Sequence, residues 1–310
     1  MSRSSMRRAS HLVFAPWIVA AFVVPAFSAE PGAKDAKRSA PAVLVYEVDP
    51  QSKRDGQPVD MKKVLAALER RLNPGWFARA RIRELAGERV EVTVLKTDPP
   101  NVERIDRLVL CAGTLEFRIT ANTHDHRSII ARAKLLGERE TKVFGEKGPD
   151  GRATPLLAWW APVFEKREGG FPSATFVTRK VTDRDKETTQ VLVVNDAFNV
   201  TGNYLLRAAP DIDERGRPDV VLAFDAAGAA LFGQLTSLNL PDEVMEFYRN
   251  LAILLDGKVY SAPRIQARVF DRAQISGDFT QEEAQAFADV LNAGPLGVRL
   301  KRVTGAEKGP

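Results

Sequence analysis

Disulfide chemistry is the first thing this sequence rules out. Cys111 is its only cysteine, so no internal bridge can form and the fold must hold by packing. That cysteine sits in "RLVLCAG", an apolar helical face where a buried, inert thiol fits better than a nucleophile. Histidine is nearly as scarce, at three in 310 residues. His11 belongs to the N-terminal segment, which leaves His124 and His126 as the candidate metal ligands. They flank Asp125, so on an extended backbone both rings would face one side. No third strong ligand stands at a recognised spacing, and a polar loop is the alternative, so no metal is assigned.

A strong charge surplus is also missing. Lys and Arg number 45 against 40 Asp and Glu, and setting aside Arg3, Arg7 and Arg8 leaves 42 against 40. A nucleic-acid partner would call for a larger basic excess. The nucleophile elbow, P-loop, dinucleotide fingerprint and zinc-protease helix are all absent. "PDIDERGRPD" gathers Asp211, Asp213, Glu214 and Asp219, but Arg215 occupies the place where a calcium loop needs an oxygen ligand, so a hairpin tip fits better. The remaining carboxylates fall mostly at helix caps and on helix faces. No catalytic residue and no cofactor is expected.

Long apolar runs are limited to one. Leu12 to Val24 follows three arginines and precedes Pro25 and Ala26-Phe27-Ser28, the layout of a secretory signal cleaved after Ser28. Its length of about thirteen residues is short of the ~20 a bilayer span needs. The rival is an uncleaved anchor, since the uncharged stretch runs on to Ala29. Residues 1–29 are therefore signal peptide or N-terminal anchor, and any membrane contact is confined to that segment. No cysteine near the cleavage region offers a lipid site.

What remains is patterned. Residues 30–41 have the composition of a tether. "VLVYEV" reads as a strand, and Asp60 caps a helix carrying Val64, Leu65, Leu68 and Leu72 up to Asn73-Pro74. "ARIREL" and "RVEVTVL" alternate around Gly87 as a hairpin, "NVERIDRLVLCAG" is a helix closed by Gly113, and "TLEFRIT" alternates as a strand. The order β-α-β-β-α-β over residues 42–122 predicts a ferredoxin-like unit, with two helices on one face of a four-stranded antiparallel sheet. Residues 123–304 form a second α+β unit, interrupted at about 138–184 by an irregular insertion. It contains a helix capped by Asp225, an Asp256-Gly257 hairpin, a Thr280/Glu283 capping box and a helix closed by Gly294. "GVRLKRV" supplies a last strand, and 305–310 is a tail. The fold class is α+β. Trp159, Trp160 and Phe164 form the apolar cluster of the insertion, either a satellite core or a partner patch.

Three ordered blocks carry a resemblance: "VTGNYLLRAAPDIDERGRPDVVLAFDAAGAALFGQLT", "LAILLDGKVYSAPRIQ" and "ISGDFTQEEAQAFADVLNAGPL". They are similar, in the same order, to the periplasmic head of SecD, an accessory subunit of the protein translocase. The unit before them resembles the base of the same periplasmic region. The resemblance marks Gly202, Asp225, Asp256, Gly257, Pro263, Gly277 and Gly294 as structural motif residues. It implies a periplasmic, cell-envelope location and a non-catalytic role in protein export. It also implies contact with polypeptide or Sec translocase components, through a head that swings on the base near Asn122 to Arg127. SecD continues into a membrane bundle that couples proton flow to export, whereas no apolar span follows here before Pro310, so the expectation is a SecD-like module without that bundle. Two other readings stay open: an envelope structural or assembly protein that keeps the fold without an export role, and an envelope hydrolase resting on His124 and His126.

Overall fold

Five elements open the described chain: β1 (Ala42–Val48), α1 (Met61–Leu72), β2 (Ala80–Leu85), β3 (Arg89–Val94) and α2 (Pro99–Leu110). The computed structural model describes residues 41–52, 58–74, 79–95, 99–146, 154–164, 169–183, 186–198, 200–276 and 279–303. The expected leader, most of the tether, Gly277 and the tail lie outside the described residues. Helix α1 starts where the Asp60 carboxylate accepts the Lys63 amide at 3.3 Å, satisfying a donor the first turn leaves open. It ends at Asn73, whose side chain accepts the Arg79 and Ala80 amides at 2.6 and 3.0 Å and so sets the start of β2. The β2–β3 hairpin turns on Gly87 and Glu88 at φ 77° and 55°. Val64, Leu68, Ile105 and Leu108 of the two helices pack on Leu44, Tyr46, Val90 and Val92, which makes a two-layer α+β base.

The fourth strand of this sheet is not the expected one. "TLEFRIT" forms β4 (Leu115–Ile119), but β4 pairs with β12 (Leu251–Leu255), Ile119 opposite Leu251, and with β9 (Val200–Thr201). The open edge of β1 is taken by β15 (Leu300–Arg302), with Tyr46 opposite Arg302 and Val48 opposite Leu300. The order β15-β1-β3-β2 keeps the ferredoxin-like plan but closes it from far along the chain. Burial explains the exchange. In β4, Leu115, Phe117 and Ile119 are buried on one side while Arg118 is buried on the other, ion-paired to Glu116 at 2.9 Å, as a central strand requires. In β15, Lys301 and Arg302 are exposed beside a buried Leu300, as suits an edge. The base expected at 42–122 therefore loses β4 and gains β15, and the chain crosses between base and head twice, at Cys111–Thr114 and Gly294–Arg299.

Among the described residues the head holds three sheets. The first runs β13-β12-β4-β9, with β13 at Lys258–Ser261. The second is β10 (Leu205–Ile212), β11 (Pro218–Phe224) and β14 (Arg272–Ser276). The third, β5-β6-β8-β7, shows that the segment read as irregular contains strands: β5 (Lys142–Phe144), β6 (Leu156–Pro162) and β7 (Thr178–Asp183), with β8 (Lys186–Val194) following. The Ala121 amide donates to the Leu192 carbonyl at 2.8 Å and joins the first and third sheets. Helix α3 (Arg127–Lys134) packs on the third sheet, and α4 (Ala226–Ser237) on the first two. Helix α5 (Gln281–Ala293) serves both halves: Ala284, Ala288 and Leu291 enter the head core, while Val290 enters the base core.

Helix C-termini leave carbonyls without partners, and here arginines of α1 fill that need. Arg71 is 0% exposed. Its guanidinium donates to the Leu108 carbonyl at 3.2 Å, to that of Cys111, to that of Ala112 at 2.9 Å and to that of Gly294 at 2.8 Å. Arg70 donates through Nε and Nη2 to the Ala293 carbonyl, at 3.1 and 2.7 Å. One pair of side chains thus closes the ends of both α2 and α5.

Candidate functional site

Exposed apolar side chains gather just after α4. Leu238, Leu240, Val244, Met245 and Tyr248 stand out from one short segment, with Val244 92% exposed, and Phe270 is exposed as well. The segment reverses on itself between Asp242 and Phe247, which exchange backbone hydrogen bonds at 2.9 and 3.0 Å. The Asp242 carboxylate accepts the Val244 and Met245 amides at 3.1 and 3.0 Å, so the turn's polar groups are satisfied locally and its two apolar side chains sit at the tip. Glu246 completes the reversal at φ 49°.

The tip is braced from below. Arg249 donates Nε and Nη2 to Asp125 at 2.7 and 2.9 Å, and Nη1 to the Leu240 carbonyl at 2.7 Å. A two-point charged pair fixes orientation as well as distance. The Phe247 ring stacks on His124 with centroids 5.0 Å apart. Arg264 lies over Tyr248 at 5.4 Å and Arg268 over Phe270 at 4.7 Å, so guanidinium groups line the apolar surface. Asp242, Glu243 and Glu246 supply the acidic part of the rim. Exposed apolar side chains with a polar border are the form a protein-contact site takes. Sequence reasoning missed it, although "LNLPDEVMEFY" offered a signal: apolar residues that follow neither helical nor strand spacing.

Trp160 is buried, 4% exposed, under the Arg179 guanidinium at 4.7 Å. Trp159 is half-buried beneath Arg118, and Phe164 packs on Tyr260 with centroids 5.3 Å apart. The three rings pack into different clusters. Gly202 lies close enough to Leu115 that a Cβ would stand 3.2 Å from its side chain. Asp225 caps α4 by accepting the Gly228 amide at 2.7 Å, and the Pro263 carbonyl accepts the Leu251 amide at 2.9 Å. Asp213 accepts the Arg215 and Arg217 amides at 2.9 and 2.8 Å, closing the β10–β11 hairpin. Among the described residues no group of three His, Cys, Asp or Glu is arranged to hold a metal. Burial and the nearby Asp256 carboxylate push the Cys111 thiol up to about 12, far from a reactive thiolate at neutral pH.

Residues 122–127, the expected hinge, are tied down. The Asn122 side chain accepts the His124 and Asp125 amides at 3.0 and 2.8 Å, and the Asn122 amide donates to Nδ1 of His126 at 3.3 Å. The two histidines are thus spent on the loop, His124 on Asp125 and Phe247, His126 on the backbone. Burial lowers the pKa of His126 below its ordinary value, and the Arg249 bonds hold Asp125 well below the usual carboxylate range. Both groups are harder to protonate folded than unfolded, so the unfolded chain takes up protons first and stability falls with pH. The His126 contribution is complete above an unfolded pKa of about 6.5 and is lost below it; the Asp125 contribution begins to be lost only below about 4. Denaturant unfolding between pH 7 and 5 should show the first loss, and His126→Gln should remove it while leaving the acid-range loss in place.

No described helix is long and apolar enough to cross a membrane. Residues 178–298 match the family model described as SecDF, P1 head subdomain. The chain is 33% identical over 219 residues to the protein translocase subunit SecD of Elusimicrobium minutum, covering 68% of this chain and 38% of that protein. Against SecD of Syntrophobacter fumaroxidans it is 38% identical over 149 residues, 46% of this chain and 27% of that one. It therefore spans well under half the length of these relatives. A crystal structure of SecDF in a super-membrane-facing form aligns with 84% of this chain and 29% of its own at TM-score 0.52 and 25% identity. A second structure, of a membrane component SecDF that enhances protein export, aligns with 87% of this chain and 100% of its own at TM-score 0.51 and 23% identity, and shares the fold. The head match, the SecD relatives and the shared architecture place this chain in the SecD family, as its periplasmic region.

Proposed function

We propose that this chain is an extracytoplasmic contact module of protein export, and that the tip at residues 238–248 presents an apolar surface to extended polypeptide. The carrying observation is Val244 and Met245, exposed at the end of a reversal that Arg249 braces through Asp125 and the Leu240 carbonyl. A disordered apolar loop would lose conformational entropy on binding, whereas a braced one presents its side chains already placed. The family relation supports an export role in the periplasm, and an N-terminal leader fits delivery there. On this reading the module acts by contact rather than by catalysis.

The test is titration of an unfolded secretory protein against the protein and against Val244→Asp/Met245→Asp. Burying two such side chains is worth about 1.5–3 kcal/mol each, so the double substitution should weaken binding by about a hundredfold or more. Equal affinity of the two proteins would dismiss the tip as the contact surface. Retained polypeptide binding with lost capture of translocase subunits would move the tip's partner from substrate to translocase.

A further inference from the structure

The two crossings between base and head are gripped from both sides by charged groups that neither sheet needs for its own pairing. From the base, Arg71 holds the Cys111 and Ala112 carbonyls of the first crossing and the Gly294 carbonyl of the second. From the head, the Asp256 carboxylate accepts the Ala112 amide at 2.8 Å and the Thr114 amide at 2.8 Å, while its own amide donates to the Thr114 carbonyl at 2.8 Å. The Leu296 amide donates to the Ala112 carbonyl at 2.8 Å and ties one crossing to the other. Asp256 does this from the β12–β13 turn, at φ 53°, followed by Gly257 at φ 76°.

We infer that Arg71 and Asp256 form a latch that fixes the angle between base and head, so that the two move as one body while the latch is closed. Buried and charge-assisted hydrogen bonds are strong, and leaving their partners unmet is costly. Free rotation about either crossing would strip Arg71 of carbonyls or Asp256 of amides. Beside them lies an open cleft of about 230 Å³, lined by Ser52, Thr114, Asp256, Gly257 and Val298.

Spin labels at the exposed positions Lys62 of the base and Glu214 of the head, with Cys111 left in place, would report the base-to-head distance by pulsed electron resonance. The parent protein should give one narrow distribution. Arg71→Met and Asp256→Asn should each give a broadened distribution with an added maximum, while far-UV circular dichroism stays unchanged. Asparagine tolerates positive φ, so Asp256→Asn keeps the turn and removes the charge. If Arg71→Met does not fold, Asp256→Asn decides alone. A broad distribution in the parent, or a narrow one in Asp256→Asn, overturns the latch.

Discussion

Phe117→Ala should cost about 3–5 kcal/mol of stability, the range for deleting a fully buried ring that leaves a cavity. Phe117 is 0% exposed in β4, opposite Ile253 of β12. Its ring meets Phe224 and Phe232 edge-on at 5.6 and 5.1 Å, and those two rings are themselves 5.2 Å apart. The three rings join the first sheet, the second sheet and α4, so no neighbour can move into the void without leaving another contact. Dispersion and the directional aromatic contacts are lost together. In urea the midpoint should fall with the slope unchanged. Phe270→Ala, which removes an exposed ring, should stay within about 0.5 kcal/mol of the parent. A Phe117→Ala loss below about 1 kcal/mol would show that the head core collapses around the gap.

Gly113→Ala should be at least as damaging, for a different reason. Gly113 has φ +79°, and a Cβ there would stand 2.4 Å from Nη2 of Arg71 and 3.1 Å from Cγ1 of Val290. The left-handed conformation alone costs an alanine about 1–2 kcal/mol. The larger part comes from Arg71, whose guanidinium must shift away from the Ala112 and Gly294 carbonyls it bonds. A buried cation short of partners adds about 3–5 kcal/mol. Gly257→Ala separates the two effects: φ is +76° but nothing lies within 4 Å of the added carbon, so only the conformational part should appear. Equal losses at 113 and 257, measured by denaturant unfolding, would remove the Arg71 contact from the explanation.

These residues also mark where sequence reading succeeds. The run β1-α1-β2-β3-α2 was legible because each element announces itself locally, through spacing, caps and turn glycines. The partner of β1 was not, because nothing near Tyr46 points to Arg302. Pairing nearest neighbours is the sensible default, and it put β4 in the wrong sheet. Arg71 had a readable clue: it falls three residues after Leu68 and seven after Val64, on the buried face of α1, where a charge is out of place unless paired. Trp159 and Trp160 carried another. Adjacent residues in a strand face opposite ways, and in β6 the two rings enter different clusters. The apolar tip escaped notice because it belongs to no regular element, and exposure is decided by the fold rather than by local pattern.

The late arrival of β15 governs the order in which the molecule can be finished. As the chain emerges from its N-terminal side, β1 is made early, yet the ladder on its outer side waits for Leu300–Arg302. Until then that side offers bare amides and carbonyls to any passing strand, while the whole head is still being added. Contacts of such long sequence separation form slowly. The nascent protein is therefore most vulnerable to mispairing along one short stretch near Tyr46 while the head is still being added.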